Sequence, residues 1–154
     1  MRFDVVLPRV PDPSRIPAKL RPLPSRTPAK IDTTRSWRFE RHNGMWAINN
    51  IFYDVDTVRA SIPKGSTEIW ILKNSSGGWS HPIHIHFEEF QILSRNGLPP
   101  VPIEGGRKDV IRLGPNDEVK ILMRFRDFVG RYVMHCHNVI HEDHAMMLRW
   151  DIVP

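Results

Sequence analysis

The chain of 154 residues has a single cysteine, Cys136. One thiol excludes an intramolecular disulfide framework, so cysteine usage says nothing firm about the redox compartment. The length is that of one domain, enough to bury a core without such staples. Long apolar runs are also missing: none approaches the ~20 residues of a membrane span, and none is expected to cross a bilayer. The opening stretch MRFDVVLPRVPDPSR has no leader-type apolar segment, an absence of little weight if the chain is a piece of a longer protein. Internal repeats and convincing amphipathic helices are absent as well.

The net charge of +5 raises the question of a nucleic-acid partner. Residues 1–41 hold ten Lys and Arg against four Asp and Glu, whereas residues 42–154 hold twelve against thirteen, so the excess belongs to an N-terminal arm. That arm has neither a nucleic-acid-binding motif nor basic residues interleaved with aromatics, so no nucleic-acid partner is expected. It reads as a solvated linker. Seven of the fourteen prolines fall between positions 8 and 28, a density that forbids a continuous helix or central strand. Residues 1–33 are therefore expected to form an extended connector, with one short strand at FDVVL.

From Trp37 onward the pattern changes to short strands and turns. WRFER and MWAIN flank HNG, and EEFQILS and LPPVPI flank RNG; Asn-Gly is a strong local hairpin signal. TVRASI, TEIWILKN, DVIRLG, EVKILMRF, GRYVMHC and MLRWDIV have the alternation or β-branched content of strands, separated by PKGS, GPND and RDFVG. Residues 34–154 are expected to form one all-β domain, a sandwich or small barrel.

Seven of the eight histidines sit in two windows, SHPIHIHFEEF and RYVMHCHNVIHEDHAMM. Only His42 lies outside, in a turn, and is read as a surface residue. A lone strand histidine is more often structural than a ligand, but two dense clusters around one cysteine point to metal. Side chains alternate faces along a strand, so His135 and His137 share one side and Cys136 takes the other. His84 and His86 likewise share a face, and His81, ahead of Pro82, can face the opposite way. Two sites back to back are expected. One collects Cys136, His81, His141 and Met146; the other collects His84, His86, His135 and His137.

Two imidazoles, a thiolate and a distant thioether form the ligand set of blue copper. Zinc would usually take four strong ligands and has no use for the thioether. Core packing is the ordinary role of a methionine, and Met147 is the alternative axial ligand to Met146. The second set has four imidazoles and resembles half of a larger copper cluster.

HPIHIH together with HCHNVIHEDHAMM resembles the C-terminal cupredoxin domain of multicopper oxidases, the group of laccases, spore-coat laccases and bilirubin oxidase. The resemblance covers residues 34–154 and implies a Greek-key β-sandwich or barrel of the cupredoxin type. It implies His81, Cys136, His141 and Met146 as type 1 copper ligands, His84 as a type 2 ligand, and His86, His135 and His137 as type 3 ligands. The arm FDVVLPRVPDPSRIPAKLRPLP resembles the linker entering this domain in bacterial members. The family also implies a periplasmic, extracellular or spore-coat location.

One departure from the family is plain. A complete oxidase carries a second pair of His-x-His motifs, and this chain has no histidine before His81 except His42. The chain is therefore expected to be a fragment of a longer oxidase, with a subunit completing the cluster across an interface as the alternative. The expected partners are the N-terminal cupredoxin domains or a partner subunit, together with O2 and a small reducing substrate.

By that resemblance, single electrons from a reductant enter near the edge of His141. They cross Cys136 to His135 and His137, and O2 is reduced to water at the second site. Glu142, directly after a ligand, is the carboxylate best placed to relay protons; its plain alternative is a surface charge beside Asp143. His144 falls outside the ligand pattern. Two rivals remain: a non-enzymatic blue-copper electron carrier, which has no need of His84, His86, His135 or His137, and copper nitrite reduction, which needs only a single type 2 ion.

Overall fold

The sequence TEIWILKN folds as a strand of that same extent, with Glu68, Trp70, Leu72 and Asn74 buried and Thr67, Ile69, Ile71 and Lys73 facing outward. The period-2 alternation in the sequence is thus a half-buried strand. It belongs to a computed structural model that describes residues 1–18 and 20–154. The strands are β1 (Thr33–His42), β2 (Met45–Ile48), β3 (Val58–Pro63), β4 (Thr67–Asn74), β5 (His81–Ile85) and β6 (Phe90–Arg95). They continue as β7 (Arg107–Lys108), β8 (Val110–Leu113), β9 (Glu118–Arg124), β10 (Gly130–Cys136) and β11 (Met147–Val153), with one helical turn, α1 (Val139–Asp143).

Two sheets result. A six-stranded sheet runs β2-β1-β4-β9-β6-β7, and a five-stranded sheet runs β3-β11-β10-β5-β8. β1 pairs parallel with β4 and β11 with β3, while the other ladders are antiparallel. Parallel neighbours cannot be joined by a hairpin, so the chain must cross between sheets, as the sandwich expectation requires. The core lies between the sheets: Trp37, Phe39, Leu72 and Ile121 belong to one buried cluster with Ile83, Ile85, Met134 and Leu148 of the other sheet. Trp70 and Trp150 meet edge-on across that gap, with ring centroids 5.9 Å apart.

Both Asn-Gly turns have the left-handed backbone that makes this dipeptide a hairpin signal, with φ of 49° at Asn43, 80° at Gly44, 51° at Asn96 and 79° at Gly97. The first closes the β1–β2 hairpin, pairing Arg41 with Trp46. The second is shorter than expected. Only Arg95 and Leu98 bridge, and LPPVPI is not a strand but a loop ending in a 3-10 turn at Pro102–Glu104. Pro99, Pro100 and Pro102 have no N–H to give to a ladder.

The arm departs from expectation in one element. FDVVL forms no strand; Phe3, Val5 and Val6 are exposed and have no partner strand. Among the described residues before β1 no strand occurs, and Lys19, within the expected connector, lies outside the described residues. Residues 24–26 dock on the six-stranded sheet: Gln91 Nε2 donates to the Pro24 carbonyl at 3.1 Å, Arg124 to that of Ser25, and Arg26 to that of Gly105.

Helix α1 also goes beyond the sequence reading. It is a single turn, too short for a hydrophobic period to show, and Asn138 caps it by accepting from the Ile140 N–H at 3.2 Å. That turn positions His141 and Glu142.

Candidate metal centre

Residues of β5 and β10 pair directly, His84 opposite His135 and Ile83 opposite Cys136. Alternation then sends Cys136 into the core and His135 to the other face of the five-stranded sheet. His81 Nδ1 lies 3.6 Å from Cys136 Sγ, His141 Nδ1 lies 3.6 Å from it, and the two Nδ1 atoms are 3.0 Å apart. Donors about 2.0–2.3 Å from a shared ion stand roughly 3.5 Å from each other in a trigonal set, so this triangle fits one small cation.

Burial sets the chemistry of this triangle. His81 and Cys136 are inaccessible to solvent and His141 nearly so. Burial pushes His81 down to about 4, with a smaller contribution from His141. His141 is lowered by burial first, then by His144 and Arg41. Both rings are thus neutral donors at pH 7. Burial raises the Cys136 thiol to about 11, partly offset by the Asn138 backbone and reinforced by Glu142. A thiolate here therefore needs a cation beside it, as metal coordination supplies.

His81 is fixed from behind: Ser76 Oγ lies 2.6 Å from its Nε2, and Ser76 Oγ donates to Asn74 Oδ1 at 2.6 Å. Asn74 Nδ2 donates to the carbonyls of Trp79 and Gly114 at 2.7 and 2.8 Å. Such outer hydrogen bonds orient ligand histidines. Met146 is fully buried, its N–H donates to the His141 carbonyl, and its own carbonyl accepts from the Cys136 N–H, each at 3.0 Å. Met147 is only half-buried. The backbone thus ties Met146 to two members of the triangle.

On the opposite face His84, His86 and His135 gather, with His86 Nε2 and His135 Nε2 3.1 Å apart. The ring of exposed His137 lies alongside, its centroid 5.4 Å from that of His135 and 5.9 Å from that of His84. His137 is therefore beside the group of three, not inside it. His86 is lowered first by burial, then by His84 and His135. His84 Nδ1 meets the Asp109 carbonyl at 3.1 Å, which leaves its Nε2 free. Glu142 Oε2 lies 3.3 Å from His135 Nδ1, which ties the carboxylate to this second group rather than leaving it a bare surface charge. His144 caps α1 at the surface, and His42 stacks against Phe52; neither joins a cluster.

Residues 22–154 match the family model described as multicopper oxidase. The chain belongs to the multicopper oxidase family. It is 43% identical to bilirubin oxidase from Albifimbria verrucaria over 89% of its length, but spans only 25% of that protein. It is 32% identical to a laccase from Bacillus subtilis over 99% of its length, spanning 34% of that enzyme. A multi-copper oxidase structure from Pediococcus acidilactici superposes with a TM-score of 0.81 at 27% identity, covering 92% of this chain and 30% of the other. This multicopper oxidase chain has the cupredoxin-type fold expected of it, and it spans about a quarter to a third of the relatives it matches. The family implies copper, and the two donor groups are suited to bind metal.

The sequence reading missed Ser76, Asn74, Trp46 and Trp79. Trp79, two residues ahead of His81, carried a local signal in its spacing. Trp46 carried none, because only the pairing of β1 with β2 brings it to the site.

Proposed function

We propose that this chain is the electron-accepting domain of a copper oxidase that reduces O2 to water. The observation that carries the reading is one strand, β10, with donors to two groups: Cys136 into the core triangle and His135 into the histidine group behind it. His81, Cys136 and His141 would hold type 1 copper with Met146 as the axial ligand. His84 would serve type 2 copper, and His86, His135 and His137 the type 3 pair. Bound copper would supply one-electron acceptance at the first site and oxygen reduction at the second.

The chain's own residues define the route. His141 lies at the aromatic surface where a reductant can approach. The peptide from Cys136 to its neighbours His135 and His137 is the covalent path between the two groups. Glu142, held at His135, is placed to carry a proton toward the oxygen-reducing side. The remaining imidazoles would come from N-terminal cupredoxin domains or a partner subunit, and the periplasm, the cell exterior or a spore coat would be the compartment.

A stand-alone electron carrier remains the rival, since the Cys136 triangle is complete within the chain. The histidine group behind it favours the oxidase, because a carrier needs no second set. The deciding measurement is copper content per chain with oxygen uptake, made on the 154-residue chain and on the full gene product. A single copper with no uptake in either would leave the carrier as the answer.

A further inference from the structure

The two imidazoles facing Cys136 are held in different ways. A polar chain through Ser76 and Asn74 fixes the His81 ring. Among the described residues no hydrogen-bond partner reaches His141 Nε2; the polar contacts of its ring are at Nδ1, with His81 and Cys136. A ligand histidine with no outer hydrogen bond lacks the usual restraint on ring rotation.

Aromatic rings occupy that role. The Trp46 ring centroid lies 3.9 Å from that of His141 at 34° between planes, the shortest ring-to-ring approach among the described residues. Trp79 meets the same imidazole edge-on at 5.5 Å and touches Trp46 at 5.4 Å. The Arg41 guanidinium sits 5.2 Å from the Trp46 ring centre, a cation over an indole. Arg41 and Trp46 are register partners of the β1–β2 hairpin, so the left-handed turn at Asn43 and Gly44 aims this indole at His141. Trp46 is buried and Trp79 is half exposed, so the stack runs from the core to the surface.

We propose that Trp46 is the positioning residue of His141: its indole fixes the imidazole plane, aims Nδ1 at the point shared with His81 and Cys136, and leaves the Nε2 edge clear of polar partners for an electron donor. The inference rests on the reading of His141 as the point of electron entry. It assigns to stacking what hydrogen bonding does for His81.

The test compares Trp46→Leu, Trp46→Phe and a control, Trp37→Leu, which removes a core indole belonging to neither donor group. In the metal-free chain, side-chain NMR should show the His141 ring signals split or broadened in Trp46→Leu, with His81 unaffected. Trp46→Phe should restore a single His141 conformer. In the copper-loaded chain, Trp46→Leu should alter the electron paramagnetic resonance signal and the reduction potential of the blue site, and Trp37→Leu should leave both in place. An unchanged His141 ring with an unchanged potential in Trp46→Leu would overturn the proposal. So would broadening of His81 and His141 together, which marks general loosening. If Trp46→Leu does not fold, Trp46→Met replaces it under the same outcomes. A parent chain that forms no blue site would sink the electron-entry reading, while the metal-free NMR comparison still decides the role of Trp46.

Discussion

His84 and His135 face one another as register partners across the β5–β10 ladder, and one step along the same strands Cys136 meets Ile83 on the opposite face. A single peptide bond therefore separates a residue of the core triangle from a residue of the outer histidine group. The arrangement depends on strand pleat alone, and a one-residue slip of β10 would exchange the two faces.

The thiol is the first place to probe. With burial raising Cys136 to about 11, only about one molecule in a thousand would carry thiolate at pH 8. The metal-free chain should resist aromatic disulfide reagents at that pH and react on unfolding. The copper-loaded chain should be intensely blue, and Cys136→Ser should abolish that absorption while the far-ultraviolet spectrum stays the same. A Cys136→Ser protein that remained blue would remove the thiolate from the site.

Met146→Leu should keep the blue colour and raise the reduction potential, because a thioether stabilises oxidised copper more than an alkyl group does. Met146 is the better candidate on structural grounds, being fully buried and backbone-bonded to both His141 and Cys136. Redox titration decides it: a shift in Met147→Leu with none in Met146→Leu would transfer the axial role to Met147.

Much of this was readable from residues alone. The back-to-back sites follow from the parity of His135, Cys136 and His137, and parity is a local property of any strand. TEIWILKN announced its own strand for the same reason. FDVVL did not form one, because a strand needs a partner edge and nothing local says whether one is present. LPPVPI failed because its prolines outweighed the Asn-Gly signal before it. Trp46 and the Ser76–Asn74 chain were invisible, since they reach the site only through pairing between distant segments.

Stability should fall with acid in the metal-free chain. His81 titrates near its ordinary value of 6.5 when unfolded and at about 4 when folded, so between those values the unfolded state holds more protons. Lowering the pH through that window therefore favours unfolding, with a slope of up to about 1.4 kcal/mol per pH unit for one such group. Denaturant titrations from pH 7.5 to 4.5 should show the loss, and His81→Gln should flatten the slope. A slope unchanged in His81→Gln would place the acid sensitivity elsewhere.

Glu68 is wholly buried, with two hydrogen bonds from Arg35 at 2.7 and 2.9 Å and one from the Trp70 indole at 2.8 Å. Removing one partner of such a pair leaves an uncompensated charge, so Arg35→Met should cost about 3–5 kcal/mol. The double variant Arg35→Met with Glu68→Leu should recover most of that loss, since the charge that was left buried is gone. Chemical denaturation of the single and double variants checks both values. A double variant less stable than Arg35→Met would show that the ion pair contributes net stability beyond its own compensation.

The last prediction concerns the outer histidines. His84, His86 and His135 gather with His137 alongside, and His137 is exposed. Four imidazoles from one chain leave a three-copper cluster short of donors, and buried polar edges left dry are unfavourable. Water, an ion or another domain should therefore satisfy that face. The 154-residue chain should accept one electron at the Cys136 site, seen as bleaching of the blue band by a reductant, and then fail to reoxidise rapidly in air. Substituting His86→Gln should leave that bleaching intact, because His86 belongs to the outer group and not to the triangle. In the full gene product the same substitution should abolish oxygen uptake while the blue site persists. Sustained four-electron oxygen reduction by a demonstrably monomeric 154-residue chain would overturn this, for it would mean that the four imidazoles of one face suffice.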